Sequence, residues 1–209
     1  MARLLRRTDY RSGPWPNGGG VTHDIARFVG DDVAASPPTG AGALSWRLSL
    51  ADIGRSGPFS ELPGIDRLLA VVDGEVTLRF GDHEQRLSEG DAPVAFDGAP
   101  APFATLRRAP CRALNLMLGS GRASGLLLRR ALAADAPLTA PQAGLLVAFV
   151  VRGGLRIGPR SAPGAIPVDA GAYDTVFLSP GDGHATALGE CELLLATLHV
   201  LNLDRADRG

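Results

Sequence analysis

Short runs of alternating apolar and polar residues, separated by glycine and proline, extend along most of the chain. In Leu44–Ile53 (LSWRLSLADI), Trp46, Leu48 and Leu50 fall on one face of an extended strand, and the residues between them fall on the other. Because 27 Gly and 16 Pro are spread through 209 residues, long helices have little room. We therefore predict an all-β fold. Ala123–Ala134 fits a short helix about as well as a strand. The predicted strands are Leu44–Ile53, Leu68–Phe80, Ala92–Phe96, Arg112–Leu118, Leu145–Ile157, Tyr173–Leu178 and Leu193–Val200.

The two halves of the chain repeat the same order of motifs. Val72–Leu78 (VDGEVTL) aligns with Val151–Ile157 (VRGGLRI), and each reads as a strand, a glycine turn and a strand. Further along, Leu87–Gly90 (LSEG) aligns with Val168–Gly171 (VDAG), and Cys111 aligns with Cys191, at nearly the same offset. Several pairings in the same order at nearly one spacing indicate an internal repeat.

This order of strands and turns is typical of the double-stranded β-helix, the cupin form of the jelly roll. We therefore predict two tandem cupin-like barrels, a bicupin, formed by residues 1–120 and 121–209. Asn115 interrupts the apolar strand segment LNLM, whereas the equivalent position of the second half is Leu195. Because a buried amide needs a hydrogen-bond partner, Asn115 either ties down a loop or faces a pocket. The first half is thus predicted to carry a ligand pocket, and the second half to be structural.

Charge and composition exclude several classes of protein. The 21 basic residues, all arginine, are balanced by 22 acidic ones and spread along the chain, so no basic surface for nucleic acid is expected. The longest apolar stretch, Ala143–Val151, is too short to cross a membrane. The basic start Met1–Arg7 leads into polar residues, unlike a signal peptide. We expect a cytoplasmic protein in which Cys111 and Cys191 are free buried thiols.

The histidines argue against a metal centre. Metal-dependent cupins place two imidazoles one residue apart on a strand, and His23, His83, His184 and His199 contain no such pair. His184, in the segment PGDGH, resembles part of a second cupin motif but stands alone. We therefore expect neither a metal nor another cofactor.

Three polar segments are candidates for a ligand site. The loop Trp15–Gly20 (WPNGGG) suits either a tight turn or a loop whose backbone amides face a ligand. Arg47 lies opposite the apolar face of Leu44–Ile53, either in a barrel lumen, where it could hold a carboxylate, or on a solvated outer face. The third segment, Gly57–Arg67, is bounded by glycine and proline and leads into a strong strand, as loops at barrel mouths do.

Over about residues 10–120 the chain resembles the HutD/Ves family. The resemblance rests on WPNGGG with Thr22 and Asp24, then WRLS, then GPFS followed by PGIDR, and finally NLM, in the family's order and spacing. It implies a two-barrel cupin that is encoded with histidine-utilisation enzymes and binds a small pathway metabolite, with no established catalysis. It also implies that the ligand-binding residues are Asn17, Arg47, Ser60, Asp66, Arg67 and Asn115.

This chain departs from the family pattern at three places. Pro16 replaces a basic residue, Asp24 replaces a glutamate, and Ala113-Leu114 replaces an acidic-aromatic pair. Loss of the cation at position 16 is expected to change ligand affinity or preference if that cation helps to hold an anion. Arg47 and Arg67 remain available to hold a carboxylate.

We interpret the chain as a binding protein for a small carboxylate, namely N-formylglutamate, urocanate or formate, that modulates histidine catabolism. The first alternative is a metal-independent cupin enzyme, a hydrolase or an isomerase, with Asp66 or Asp24 as its general base. The second is a protein-interaction role with an empty pocket. Cupins often pair through sheet faces, so a homodimer is one expected assembly.

Overall fold

The computed structural model describes residues 2–29, 44–158 and 167–201, which form two compact units. The N-terminal unit contains the described residues from Arg11 to Ser124, with Val200 and Leu201. The C-terminal unit contains residues 2–10 and the described residues from Gly125 to His199. The strands are β1 Arg3–Leu5, β2 Arg11–Pro14, β3 Gly20–Val29, β4 Leu44–Ile53, β5 Gly57–Pro58, β6 Ile65–Phe80, β7 His83–Ser88, β8 Val94–Asp97, β9 Phe103–Gly119, β10 Ala123–Leu132, β11 Pro137–Thr139, β12 Leu145–Arg152, β13 Leu155–Ile157, β14 Val168–Ala170, β15 Thr175–Leu178, β16 His184–Ala187 and β17 Cys191–Val200.

The described part of the chain is all-β, as predicted. Its helical content is one 3-10 turn at Arg7–Asp9, and none of its helices has the length and apolarity needed to cross a membrane. Strand β4 has the predicted bounds, and the ambiguous segment that begins at Ala123 is a strand. The glycines at 153 and 154 divide the predicted strand Leu145–Ile157 into β12 and β13.

The N-terminal unit is built on one antiparallel sheet in the order β2-β3-β4-β9-β6-β7, with β5 paired to β9 and β8 paired to β6. Its long central strands turn one face toward a buried apolar cluster, because alternate residues of each strand share a face. The members of this cluster are Ile53, Phe59, Leu69, Val71, Val76, Leu78, Leu87, Ala104, Cys111 and Ala113.

The C-terminal unit contains a five-stranded sheet, β1-β15-β12-β17-β10, and a four-stranded sheet, β11-β16-β13-β14. Its first strand comes from the start of the chain, since Arg3–Leu5 pairs with Thr175–Phe177. The buried hydroxyl of Tyr10 reinforces this attachment by donating to the carbonyl oxygen of Tyr173 at 2.6 Å. Residues 2–10 therefore belong to the C-terminal unit, which differs from the predicted division into 1–120 and 121–209.

The aligned motifs of the repeat occupy matching places in the two units. A Cβ added to Gly74 would meet the Cα of Cys111 at 2.7 Å, and one added to Gly153 would meet the Cα of Cys191 at 3.0 Å. The pairing register corresponds as well, since Leu69 lies opposite Asn115 in the N-terminal unit and Ala148 lies opposite Leu195 in the C-terminal unit. The aligned positions of the sequence repeat thus have equivalent neighbours in the two units.

Candidate functional site

A cavity of about 430 Å³ lies in the N-terminal unit, and we call it the ligand cavity. Strands β3, β4, β6 and β9 supply one part of its wall, and the ends of β2 and β5 with the loops that follow them supply the rest. The polar and charged side chains that line it are Asn17, Thr22, Asp24, Arg47, Ser49, Ser60, Arg67 and Asn115. Its apolar lining includes Trp15, Ile53, Phe59, Leu69 and Met117.

Strand register brings the polar groups together. Ser49 lies opposite Asp24 on one side and Asn115 on the other, so these three side chains form a row across the sheet. In the next row, Met117 lies opposite both Arg47 and Arg67. The two arginines therefore project from the same face of the sheet, two strands apart.

Arg67 is a buried cation without a polar partner among the described residues. Its side chain stacks on two rings, with the guanidinium carbon 5.0 Å from the centre of Phe59 and 5.1 Å from that of Phe96. The residue is only 5% exposed, and it makes no hydrogen bond or ion pair within the described residues, with Nε fully buried. Burial, together with repulsion from Arg47, lowers the pKa of Arg67 to about 10. The group is therefore charged at neutral pH and faces the ligand cavity.

Asn115 supplies a complementary group. It is 5% exposed, and its Oδ1 is buried without a hydrogen-bond partner among the described residues. A buried acceptor left unsatisfied costs about 1–3 kcal/mol, so native proteins rarely keep one without a reason. The cavity thus offers a donor on Arg67 and an acceptor on Asn115 that are both unpaired within the described part of the chain.

Arg47 differs from Arg67 because it already has a counter-ion. Its Nε donates to Oδ1 of Asp24 at 2.7 Å, and a second guanidinium nitrogen donates to the same oxygen. Both side chains are partly exposed and both line the ligand cavity. The sequence left open whether Arg47 faces a barrel lumen or a solvated outer surface. In the structure Arg47 faces the ligand cavity.

The loop Trp15–Gly20 forms a tight turn and also lines the cavity. Oδ1 of Asn17 accepts from the backbone N–H of Gly19 at 2.9 Å, which closes the turn. A Cβ on Gly20 would lie 2.3 Å from the carbonyl oxygen of Asp52 and 3.2 Å from the ring of Trp15. Position 20 therefore needs glycine, because a side chain would displace the ring of Trp15. The Nε1 of Trp15 donates to Thr22 Oγ1 at 2.8 Å.

Five of the six residues proposed from the sequence line the ligand cavity, and Asp66 does not. Asp66 precedes Arg67 in β6, so strand alternation turns it to the opposite face, where it is exposed and accepts from Ser120 Oγ at 3.3 Å. The expectation that Asp66 belongs to the site is corrected on this point. Of the two carboxylates named for the enzyme alternative, Asp24 lines the ligand cavity and Asp66 does not.

Met117 and Phe96 were not foreseen as ligand-site residues. Met117 separates the two arginines, and Phe96 stacks on Arg67 from β8. Alternation along β9 from Asn115 would have indicated Met117. No local signal marks Phe96, because its position depends on the pairing of β8 with β6, in which it lies opposite Arg67.

The described residues contain no group of three or more His, Cys, Asp or Glu side chains that could hold a metal ion. His184 begins β16 in the C-terminal unit and is exposed. The two ring nitrogens of His23 form hydrogen bonds with Ser12 and Asp52, outside the ligand cavity.

The all-β fold is similar to that of cupin-like and pirin proteins. The fold is shared with the bacterial pirin YhhW of Escherichia coli, at 12% identity and a TM-score of 0.62 over 94% of this chain and 98% of that one. The HutD family profile matches residues 7–195. The chain therefore belongs to the HutD family, as its motifs predicted.

Similar proteins agree with this assignment. The chain is 37% identical over 122 residues to an uncharacterized 21.2 kDa protein in the hutC 3′ region of Pseudomonas putida, covering 57% of this chain and 60% of that protein. It is 28% identical over 148 residues to protein Ves of Citrobacter koseri, covering 70% and 71% of the two chains. The match thus spans less than two thirds of the P. putida relative.

Two solved structures are similar over nearly their whole length. PA5104 of Pseudomonas aeruginosa PAO1, a conserved protein of unknown function, is 28% identical with a TM-score of 0.77 and covers 95% of this chain and 98% of that one. HutD of Pseudomonas fluorescens SBW25, described in a formate condition, is 26% identical with a TM-score of 0.73 and covers 97% and 100%.

Proposed function

We propose that this protein binds a small carboxylate metabolite in the ligand cavity without transforming it, and that binding modulates histidine catabolism. The observation that carries the proposal is the buried guanidinium of Arg67, which is charged and lacks a polar partner in the described part of the chain. A carboxylate is the natural partner of such a group, because charge-assisted hydrogen bonds to arginine are strong and directional. Binding would relieve the cost of burying the cation.

The surrounding groups suit the remainder of such a ligand. Asn115 Oδ1 can accept from a ligand N–H or O–H, while the hydroxyls of Ser49 and Ser60 supply further polar contacts. Trp15 and Phe59 supply an apolar wall, and their rings pack edge to face with their centres 6.1 Å apart. A volume of about 430 Å³ suits urocanate or N-formylglutamate, whereas formate would fill only the space beside the guanidinium.

The histidine-pathway part of the proposal is supported by kinship. One relative lies in a hutC 3′ region, and a structurally similar protein is named HutD and described in a formate condition. The enzyme alternative needs a general base, and among the described residues Asp24 is the carboxylate that lines the cavity. Because one oxygen of Asp24 accepts two donors from Arg47, we favour binding over catalysis. Recovery of unchanged ligand after prolonged incubation supports binding, and its conversion would support the enzyme.

We further infer that the two units are tandem cupin-like barrels of which one carries the site. Arg67 pairs with Met117 in the N-terminal unit, and the equivalent pair in the C-terminal unit is Leu146 with Thr197. Leu146, like Leu195 at the position of Asn115, belongs to a packed apolar core. Apolar residues at the positions of both unpaired groups support a structural role for the C-terminal unit.

Tryptophan fluorescence tests where the ligand binds. The chain has two tryptophans, of which Trp15 lines the ligand cavity and Trp46 is buried on the other face of β4 from Arg47. We expect urocanate or N-formylglutamate to change the emission of the Trp46→Phe variant, whose remaining indole is Trp15. The Trp15→Phe variant should lose most of this change. An undiminished change in Trp15→Phe would place the ligand elsewhere.

A further inference from the structure

The formal charges around the ligand cavity limit the charge of its ligand. The charged side chains that line it within the described residues are Asp24, Arg47 and Arg67, which sum to one positive charge. A monocarboxylate neutralises this lining, whereas a dicarboxylate leaves an excess negative charge in a partly enclosed space. Arg55 lines a neighbouring cavity instead, where it donates to the carbonyl oxygen of Asn17.

Asp24 already pairs with Arg47, the second arginine of the ligand cavity. It accepts from two nitrogens of Arg47, so the charge of that arginine is already balanced. Any further carboxylate brought to Arg47 would lie beside the carboxylate of Asp24, and like charges at such distances repel each other. Arg67, two strands away, has no such counter-ion among the residues that the structure describes.

We propose that the ligand cavity selects monocarboxylates over dicarboxylates, and that Asp24 determines this specificity by acting as an internal counter-ion to Arg47. This inference rests on the proposed function, because it assumes that a carboxylate binds at Arg67. Among the candidate ligands it favours urocanate and formate, which carry one carboxylate, over N-formylglutamate, which carries two.

A matched pair of ligands tests the inference. N-formylglutamate and N-formylglutamine have nearly the same size and shape, but the second has an amide in place of the side-chain carboxylate. Isothermal titration calorimetry of the wild-type protein at neutral pH and fixed ionic strength should give at least tenfold tighter binding of N-formylglutamine. Equal or tighter binding of N-formylglutamate by the wild type would overturn the inference, whatever the variants do.

The variant Asp24→Asn tests the residue. Removing the internal charge should tighten the binding of N-formylglutamate at least tenfold and change that of N-formylglutamine less than threefold. The matched control is Asp66→Asn, which makes the same change of charge on an exposed face outside the cavity and should move neither affinity more than threefold. Equal effects of the two variants would contradict a specific role for Asp24.

Failure of the inference is distinguishable from failure of the proposed function. If the wild type binds N-formylglutamate as well as N-formylglutamine, and Arg67→Met abolishes both, carboxylate binding stands and the selectivity is wrong. If the wild type binds none of urocanate, formate, N-formylglutamate and N-formylglutamine, both proposals fall.

Discussion

Replacing Arg67 with methionine is expected to abolish carboxylate binding while raising the stability of the ligand-free protein. The buried guanidinium destabilises the folded state, since lowering its pKa from the ordinary arginine value to about 10 corresponds to roughly 3 kcal/mol. This cost is present in full at pH values below about 10 and declines only as the pH rises further toward the pKa of arginine in the unfolded chain. Methionine keeps contact with Phe59 and Phe96 without a charge.

We expect a gain in unfolding free energy of about 1–3 kcal/mol and at least a hundredfold loss of affinity for urocanate or N-formylglutamine. Chemical denaturation and calorimetric titration at neutral pH measure the two effects. The control is Arg86→Met, which removes an exposed arginine paired with Glu75 at 2.7 Å and should give neither effect. A destabilised Arg67→Met that still binds would show that the cation serves the fold and not a ligand.

Substituting Gly74 with alanine is expected to destabilise the N-terminal unit by about 3–5 kcal/mol. Gly74 has a φ of +83°, which disfavours any side chain. An added Cβ would also lie 2.1 Å from the carbonyl oxygen of Pro110 and 2.7 Å from that of Arg108. Because these atoms are backbone of the neighbouring strand β9, the sheet itself must move to relieve the clash.

Gly81→Ala is the matched control for this prediction. Gly81 also has a positive φ, +58°, but a Cβ there would meet nothing within 4 Å. It should therefore cost only about 1–2 kcal/mol of backbone strain. Urea denaturation of both variants separates the two contributions, and equal losses would show that close approach of the strands adds nothing at Gly74.

Much of the polar lining of the cavity was predictable from local pattern. Alternation along β4 predicted that Arg47 and Trp46 lie on different faces of the strand. The polar Asn115 within an apolar strand indicated a pocket in the first half. Arg47 and Asn115 both line the ligand cavity. The motifs of the family supplied Asn17, Ser60 and Arg67. Periodicity works for these residues because it fixes which side chains share a face.

The features that were not predicted from the sequence depend on long-range strand pairing or on where a strand begins. Asp66 and Arg67 are adjacent, and only the start of β6 at Ile65, together with its pairing partners, decides which of them faces the cavity. The stacking of Phe96 on Arg67 requires the pairing of β8 with β6. Likewise, residues 2–10 join the C-terminal unit through Arg3–Leu5 and its partner β15, far away in sequence.

The most direct test of the central claim observes the side-chain Nε–H of Arg67 by NMR. Its ¹H–¹⁵N signal is identified as the one missing from Arg67→Met, and it reports on a donor that has no partner among the described residues. We predict that titration with urocanate shifts this signal downfield in a saturable manner, as expected when a carboxylate accepts its hydrogen bond. An Arg67 signal that stays in place at urocanate concentrations that saturate other shifts in the spectrum, or a spectrum that does not change at all, would contradict the account.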